Sequence, residues 1–309
     1  MGGSAWRAVA AVAVLAVSGP AWAQATGPMV RPETLKRVSA HVQVIPDESR
    51  PLVANIGIIV GSKAVLVVDT GLGPENGAIV YAAAVKAAPG RKVYLVATHA
   101  HPEHDLGAQA FPAGTKLIRS ADQTADAGND VALAKVFAGM NARNAELLKD
   151  AAPRPADISF SGSYVLDLGG VTARLEALGP AHTAGDIIVW VAADKVLFSG
   201  DLAMKAQPSV VSQKATPATW RKTLAREASF EPKLVVPSHG PVGDAGFIAG
   251  YQAYLDEVAE RTAKAKAAGQ TLEAATASVG EAMTARYPDK GRLAGAVRMA
   301  YAPGASGAK

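Results

Sequence analysis

Apolar runs of strand length recur along the chain, and most of them stop abruptly at a polar or glycine-containing segment. Val53 to Val60, Ala64 to Val68, Val93 to Ala97, Ile187 to Val191, Lys195 to Phe198 and Leu234 to Val236 are too short for buried helices and too continuous for half-exposed strands. They predict β-strands buried on both faces. Val42 to Ile45, Lys116 to Ile118, Tyr164 to Leu168 and Val171 to Leu178 read as further strands, and Gly61-Ser62-Lys63 as a hairpin-type turn between two of the apolar ones. Helical periodicity falls between the strands: Asn76 to Ala88 ends at Pro89-Gly90, His104 to Phe111 is a short helix, and Ala121 to Asp150 is mostly helix, stopped by Pro153-Arg154-Pro155. Thr216-Pro217 supplies an N-cap with proline at the first helical position, opening a helix to about Ser229. Strand, helix, strand in this order predicts a layered α/β protein.

Two apolar stripes lie on the predicted helices. Val131, Leu133, Val136, Phe137 and Met140 read as core or as the wall of a pocket. Phe247, Ile248, Tyr251, Tyr254, Leu255 and Val258 fall at spacings of one, three and four, so the helices from about 245 to 301 are expected to pack on a sheet and complete the core.

The first 23 residues carry a single charge, Arg7, then the apolar stretch Ala8 to Val17, Gly19-Pro20, and Ala21-Trp22-Ala23. This is the pattern of a signal peptide with an A-x-A cleavage site, so the mature chain is expected to begin at Gln24 and to be periplasmic or secreted. The apolar stretch is shorter than the ~20 residues a permanent span requires, so no stable membrane anchor is expected. Residues 24–309 then form one α/β domain opening on a loose, proline-containing arm from Gln24 to Thr34. Cysteine is absent, which excludes disulfides, thiolate metal sites and cysteine nucleophiles together. A net charge of +4 without a basic block interleaved with aromatics argues against nucleic acid and leaves a small molecule as the expected partner.

Candidate chemistry collects where strands end. Val93 to Ala97 runs into Thr98-His99-Ala100-His101-Pro102-Glu103-His104. Residues two apart on an extended segment share a side, so His99 and His101 face one point, and Glu103 and His104 reach round it as the chain turns. Imidazole and carboxylate are zinc's preferred ligands other than sulfur. Ala64 to Val68 ends in Asp69, which either caps the following loop or orients a metal-binding histidine. His182, Asp201 and His239 each follow a later strand, and with His99, His101, Glu103 and His104 they make seven ligands, enough for two metals. His41 has no partner of ligand type within four residues and reads as an ordinary strand-end or surface histidine. Lys205 and Lys214 read as exposed lysines rather than as contacts for an anionic substrate.

The H-x-H-x-[DE]-H cluster, the later His-Thr-x-Gly-Asp loop, Ser-Gly-Asp at a strand end and the final Ser-His-Gly occur in the order found in the metallo-β-lactamase superfamily, which the chain resembles from about Asn55 to Gly240. The resemblance implies a four-layered αβ/βα sandwich of two similar halves with C-terminal helices, and metals in the groove between the sheets. It implies His99, His101 and His182 on a first zinc ion, Glu103, His104 and His239 on a second, Asp201 bridging both, and Asp69 as the supporting aspartate. Asp201 resembles the ligand set of the glyoxalase II-like hydrolases, and the Gly-Pro-Ala-His182-Thr loop looks like secreted members associated with sulfur and quinoprotein oxidation. Glu103 stands where the family usually has Asp, and Asp105 lies out of register.

The implied activity is hydrolysis in which a metal-bound hydroxide, formed by lowering the pKa of water from 15.7 towards about 7, attacks the carbonyl of an ester, thioester, lactone or lactam. Glu103 and Asp201 are the ligand carboxylates available to move the proton. The pocket is expected between the loop from Leu202 to Thr216 and the helix from Ala121 to Asp150. Two alternatives belong to other classes: a non-haem iron redox enzyme, and a metal-binding accessory protein of a periplasmic oxidation system.

Overall fold

The computed structural model describes residues 27–302. Its strands form two sheets. In the first, β1 (Lys36–Arg37), β2 (Val42–Ile45), β3 (Ile56–Val60), β4 (Ala64–Val68), β5 (Lys92–Val96), β6 (Lys116–Ser120) and β7 (Ile158–Phe160) lie side by side in chain order. Neighbours are antiparallel as far as β4 and parallel from β4 to β7. The second sheet runs β12 (Leu234–Pro237), β11 (Val196–Gly200), β10 (Ile187–Val191), β9 (Thr172–Ala177), β8 (Ser163–Asp167), with only β11 and β12 parallel.

Parallel neighbours need crossovers, and the crossovers supply the outer layers. Helix α1 (Gly73–Ala87) joins β4 to β5. A short α2 (Pro102–Asp105) and a 3-10 turn (Leu106–Ala110) lead to β6, while α3 (Ala121–Met140) and α4 (Ala142–Leu147) lead to β7. Helix α5 (Pro217–Ala228) joins β11 to β12, and α6 (Gly246–Ala267), α7 (Leu272–Met283) and α8 (Lys290–Tyr301) follow.

Strand alternation divides the apolar residues among three cores. Leu66 and Val68 of β4 meet Val189, Val191, Val196 and Phe198 between the sheets. Val65, Val67 and Leu95 face the other way and pack on Val80, Ala83 and Ala84 of α1. Ile188, Trp190, Leu197 and Val235, on the outer face of the second sheet, pack on Trp220 and Leu224 of α5 and on Ile248, Tyr251, Leu255, Leu293 and Val297 of the C-terminal helices. The result is the αβ/βα sandwich that the motifs imply. β4, β10 and β11 are buried along their whole length, which is why they read as unbroken apolar runs.

The N-terminal arm is pinned, not loose, over its described part. Asn76 of α1 accepts from Val30 N at 2.7 Å and donates to the Pro28 carbonyl at 3.0 Å, and Val30 is buried. Nothing local in residues 27–34 signals this, because the partner lies in another element. The proposed leader falls outside the described residues. Among the described residues no helix is long and apolar enough to cross a membrane.

Candidate metal centre

The strand ends converge on one edge of the sandwich. Thr98 to His104 continue from β5, His182 sits on the loop from β9 to β10, Asp201 follows β11 and His239 follows β12. A register shift between Phe198 and Gly200 turns the end of β11, and Gly200 adopts φ 58° there. A side chain at Gly200 would also press on Thr98, since its Cβ would fall 3.1 Å from the Thr98 Cβ, so glycine is what lets Asp201 reach the edge.

All seven ligand-type side chains named from the sequence meet here. Three groups bring their donor atoms within 4.8 Å of one another: His99, His101 and His182; His99, His104 and Asp201; and Glu103, His104 and His239. His99 Nε2 lies 3.0 Å from His101 Nδ1, and His182 Nε2 lies 3.4 Å from the same atom. His182 Nε2 and Asp201 Oδ2 are 3.5 Å apart, His104 Nε2 and Glu103 Oε1 3.7 Å, and His239 Nε2 is 4.0 Å from both Glu103 Oε1 and Asp201 Oδ1.

In four of the imidazoles the far nitrogen is held from outside the ligand set, which aims the near one inward, and for His99 that contact is its Nδ1 3.1 Å from the Thr98 hydroxyl. His104 Nδ1 donates to Asp69 Oδ2 at 3.0 Å, His182 Nδ1 to the Ser209 carbonyl at 2.6 Å, and His239 Nδ1 to the Val53 carbonyl at 2.8 Å. Asp69 is buried at φ 66° and also accepts from Thr98 N at 2.7 Å and from the Ser238 hydroxyl at 3.1 Å. It therefore ties the ends of β4, β5 and β12 together. Of the two roles the sequence leaves open for Asp69, the orienting one describes its contacts. Asp186 organises the His182 loop, accepting from Thr183 N at 2.9 Å and Thr183 Oγ1 at 2.6 Å.

Electrostatics favour a cation at this point. Burial, then the neighbouring histidines, drives the His99 and His101 imidazoles well below their ordinary pKa, leaving their lone pairs free. Burial opposes charge on His104 too, but Asp69, Glu103 and Asp201 outweigh it and raise that imidazole to about 9. For Asp201 burial is outweighed by His239, His182, His104 and His101, which hold the carboxyl well below its usual range. Within the cluster, three buried polar atoms lack any hydrogen-bond partner: Glu103 Oε2, His104 Nε2 and Asp201 Oδ1. Each orphan costs about 1–3 kcal/mol unless something satisfies it. A divalent metal bound to these histidines and carboxylates satisfies all three, so the donor set fits one.

Asp105 does not join the cluster. Arg119 Nη2 engages both its oxygens at 2.6 and 2.7 Å, and burial together with Asp105 pushes the adjacent Asp130 up to about 10. His41 also lies apart, its Nδ1 2.7 Å from Asp194 Oδ1.

The cluster opens into a cavity of about 670 Å³. Met204, Lys205, Ser209 and Val211 of the 202–216 loop line it, as do Leu133 and Phe137 of α3, the two expected walls. Sequence reasoning missed two others: the loop from Asp47 to Leu52, and Arg292 of α8. The loop's only local signal was a polar run between strands; Asn55 docks it by donating to the Pro237 and Gly240 carbonyls, both at 2.8 Å. Lys205 lines this cavity, whereas Lys214 lines a separate recess of about 200 Å³.

A family model described as the metallo-beta-lactamase superfamily matches residues 49–239. The chain belongs to that superfamily. A metallo-beta-lactamase type 2 from Bacteroides fragilis is 26% identical over 128 residues, covering 40% of this chain and 51% of that protein. Among solved structures, a sec-alkylsulfatase from Pseudomonas sp. is similar over 86% of this chain and 49% of its own, with a TM-score of 0.66 and 16% identity. A metallo-beta-lactamase from Pontibacter korlensis is similar over 72% of this chain and 98% of its own, with a TM-score of 0.57 and 21% identity. The chain thus spans about half the length of the B. fragilis lactamase and of the alkylsulfatase. At these identities the structural likeness establishes the superfamily fold.

Proposed function

We propose that this superfamily member is a periplasmic zinc-dependent hydrolase acting on a carbonyl substrate: an ester, thioester, lactone or lactam. The observation that carries the reading is the set of buried, inward-aimed donor atoms, three of which have no other partner. His99, His101 and His182 hold one zinc ion, Glu103, His104 and His239 a second, and Asp201 lies between the two groups. When bound, zinc supplies a water activated for attack at neutral pH and polarises the carbonyl oxygen.

The chain's own residues do the rest. Asp69 accepts the hydrogen bond from His104 Nδ1 and so fixes its tautomer, and the Ser209 and Val53 carbonyls do the same for His182 and His239. Glu103 and Asp201 are the carboxylates of the centre available to carry the proton to the leaving group. The leader pattern of the first 23 residues supports export.

The test is elemental analysis of the full chain purified without chelator, followed by turnover of chromogenic lactam, lactone, ester and thioester substrates. About two zinc ions per chain are expected, with activity lost on chelation and restored by zinc. Iron in place of zinc, or full metal loading with no turnover of any substrate, would sink the reading.

A further inference from the structure

The face of α3 that walls the cavity continues beyond it. Leu133 and Phe137 line the cavity, and Val136 and Met140 follow them at spacings of three and four, on the same side of the helix. Phe137 is buried in a small core with Leu72, Leu106 and Leu147, while Val136 is 46% and Met140 42% exposed. Val211, across the cavity on the 202–216 loop, is 48% exposed. Among the described residues, seven large apolar side chains are left exposed; two of them, Val136 and Met140, lie on this face of α3, and a third, Val211, lines the cavity it leads into. Lys135, two positions from Leu133, falls off this face.

An apolar track that starts inside a cavity and runs out along a helix fits a flexible apolar chain whose reactive end lies inside. A protein partner fits it poorly: a stable interface needs about 800 Å² per partner, and two side chains less than half exposed fall far short of that. Resting on the hydrolase reading above, we propose that the substrate is a long-chain acyl ester or thioester, its acyl carbon at the metal centre and its chain leaving the cavity over Leu133, Phe137, Val136 and Met140. In the reaction the oxygen of water bonds to the acyl carbon. The C–O or C–S bond breaks with its electron pair on the departing oxygen or sulfur, which takes up a proton, so the products are a fatty acid and an alcohol or thiol.

The test uses p-nitrophenyl esters from acetate to decanoate with the zinc-loaded full chain. From butyrate to decanoate kcat/KM should rise at least tenfold. Tenfold is about 1.4 kcal/mol, which burial of two methylenes supplies at roughly 0.8 kcal/mol each. Val136→Glu with Met140→Glu should erase the rise and leave acetate and butyrate unchanged. Val131→Glu, on another side of α3, should change nothing. Val136→Ser with Met140→Ser repeats the comparison without new charge, should the glutamates disturb folding.

A second readout needs no catalysis: a neutral dansyl-labelled decanamide should bind the metal-free full chain at least tenfold more tightly than the double variant. If that probe binds as expected while no ester is turned over, the acyl track stands and the hydrolase reading falls. If esters are turned over without chain-length preference, or with the same preference in the double variant, the track is overturned and the hydrolase reading stands. A wild-type dimer that the double variant converts to monomer, with equal probe binding by both, also overturns the track by assigning the face to a second copy.

Discussion

The two sheets feed the same cluster in different ways. The first delivers His99, His101, Glu103 and His104 from a single turn after β5, steadied by Asp69 one strand away. The second delivers His182, Asp201 and His239 from three separate strand ends, whose relative positions depend on the register of β9 through β12 and on the helices packed behind them. One half of the site is thus encoded locally and the other by tertiary structure. Damage to the first should therefore appear as lost chemistry in a folded protein, and damage behind the second as lost folding.

The largest expected effect is on the second half. Ending the chain after Gly243 removes α6 to α8, and with them Ile248, Tyr251, Tyr254, Leu255, Val258, Leu293 and Val297, all buried in the core that backs the second sheet. At roughly 1.5–3 kcal/mol for each buried side chain, their loss is as large as the whole ~5–15 kcal/mol by which a domain is usually stable. Soluble expression should be abolished. A soluble 1–243 chain that still bound metal would break the comparison, because the second half of the site would then not depend on its helical backing.

Glu103→Gln tests the local half. The replacement keeps the shape and removes the charge, so bound metal should fall from about two per chain towards one, with most activity lost and the fold intact. Glu103→Asp should retain the metal. If Glu103→Gln still carried two zinc ions and turned over normally, Glu103 would not be a ligand. Asp105 could not simply replace it, because both its oxygens are taken by Arg119.

Asp69→Asn should act one step further out. It loses the acceptor that fixes His104, and a fall in metal affinity of about 10–100-fold is expected, measured by competition with a chromogenic chelator. Unchanged affinity would mean that the remaining contacts of His104 already set its orientation.

The same difference explains what the sequence reveals. The cluster from His99 to His104 is legible by itself, since spacing on a strand end determines which side chains meet. His182, Asp201 and His239 are ambiguous one at a time and gain meaning only from their joint order along the chain. The layers are legible because β4, β10 and β11 are buried on both faces and so read as unbroken apolar runs. β1 and β7 were not legible: Lys36–Arg37 is a two-residue exposed strand, and Ile158–Phe160 only three residues long at the sheet edge. Nor were the carbonyls of Ser209 and Val53, because every residue has a carbonyl and only the fold selects two of them. The stripe of α3 was legible as apolar but not as partly exposed, since periodicity gives a face and not what covers it.

The smallest expected effect belongs to the one histidine outside the cluster. His41 and Ser39, on the turn from β1 to β2, bond Asp194 on the turn from β10 to β11, so this contact links the two sheets at a place remote from the metal centre. His41→Ala should leave metal content and turnover unchanged; a loss of metal would show that the two sheets communicate through this turn. Burial alone would raise the Asp194 carboxyl, but the Ser39 hydroxyl and the His41 side chain and backbone N–H outweigh it and lower the pKa below the ordinary aspartate value. Because the folded state holds the ionised form more firmly than the unfolded chain does, the stabilisation is present above about pH 4, the unfolded value, and fades as pH falls through the lower folded one. Asp194→Asn should therefore lower Tm by a few degrees at pH 7, with the gap from the wild type closing as the pH falls below 4. A gap that stayed constant down to pH 3 would show that the contact contributes through shape and not through charge.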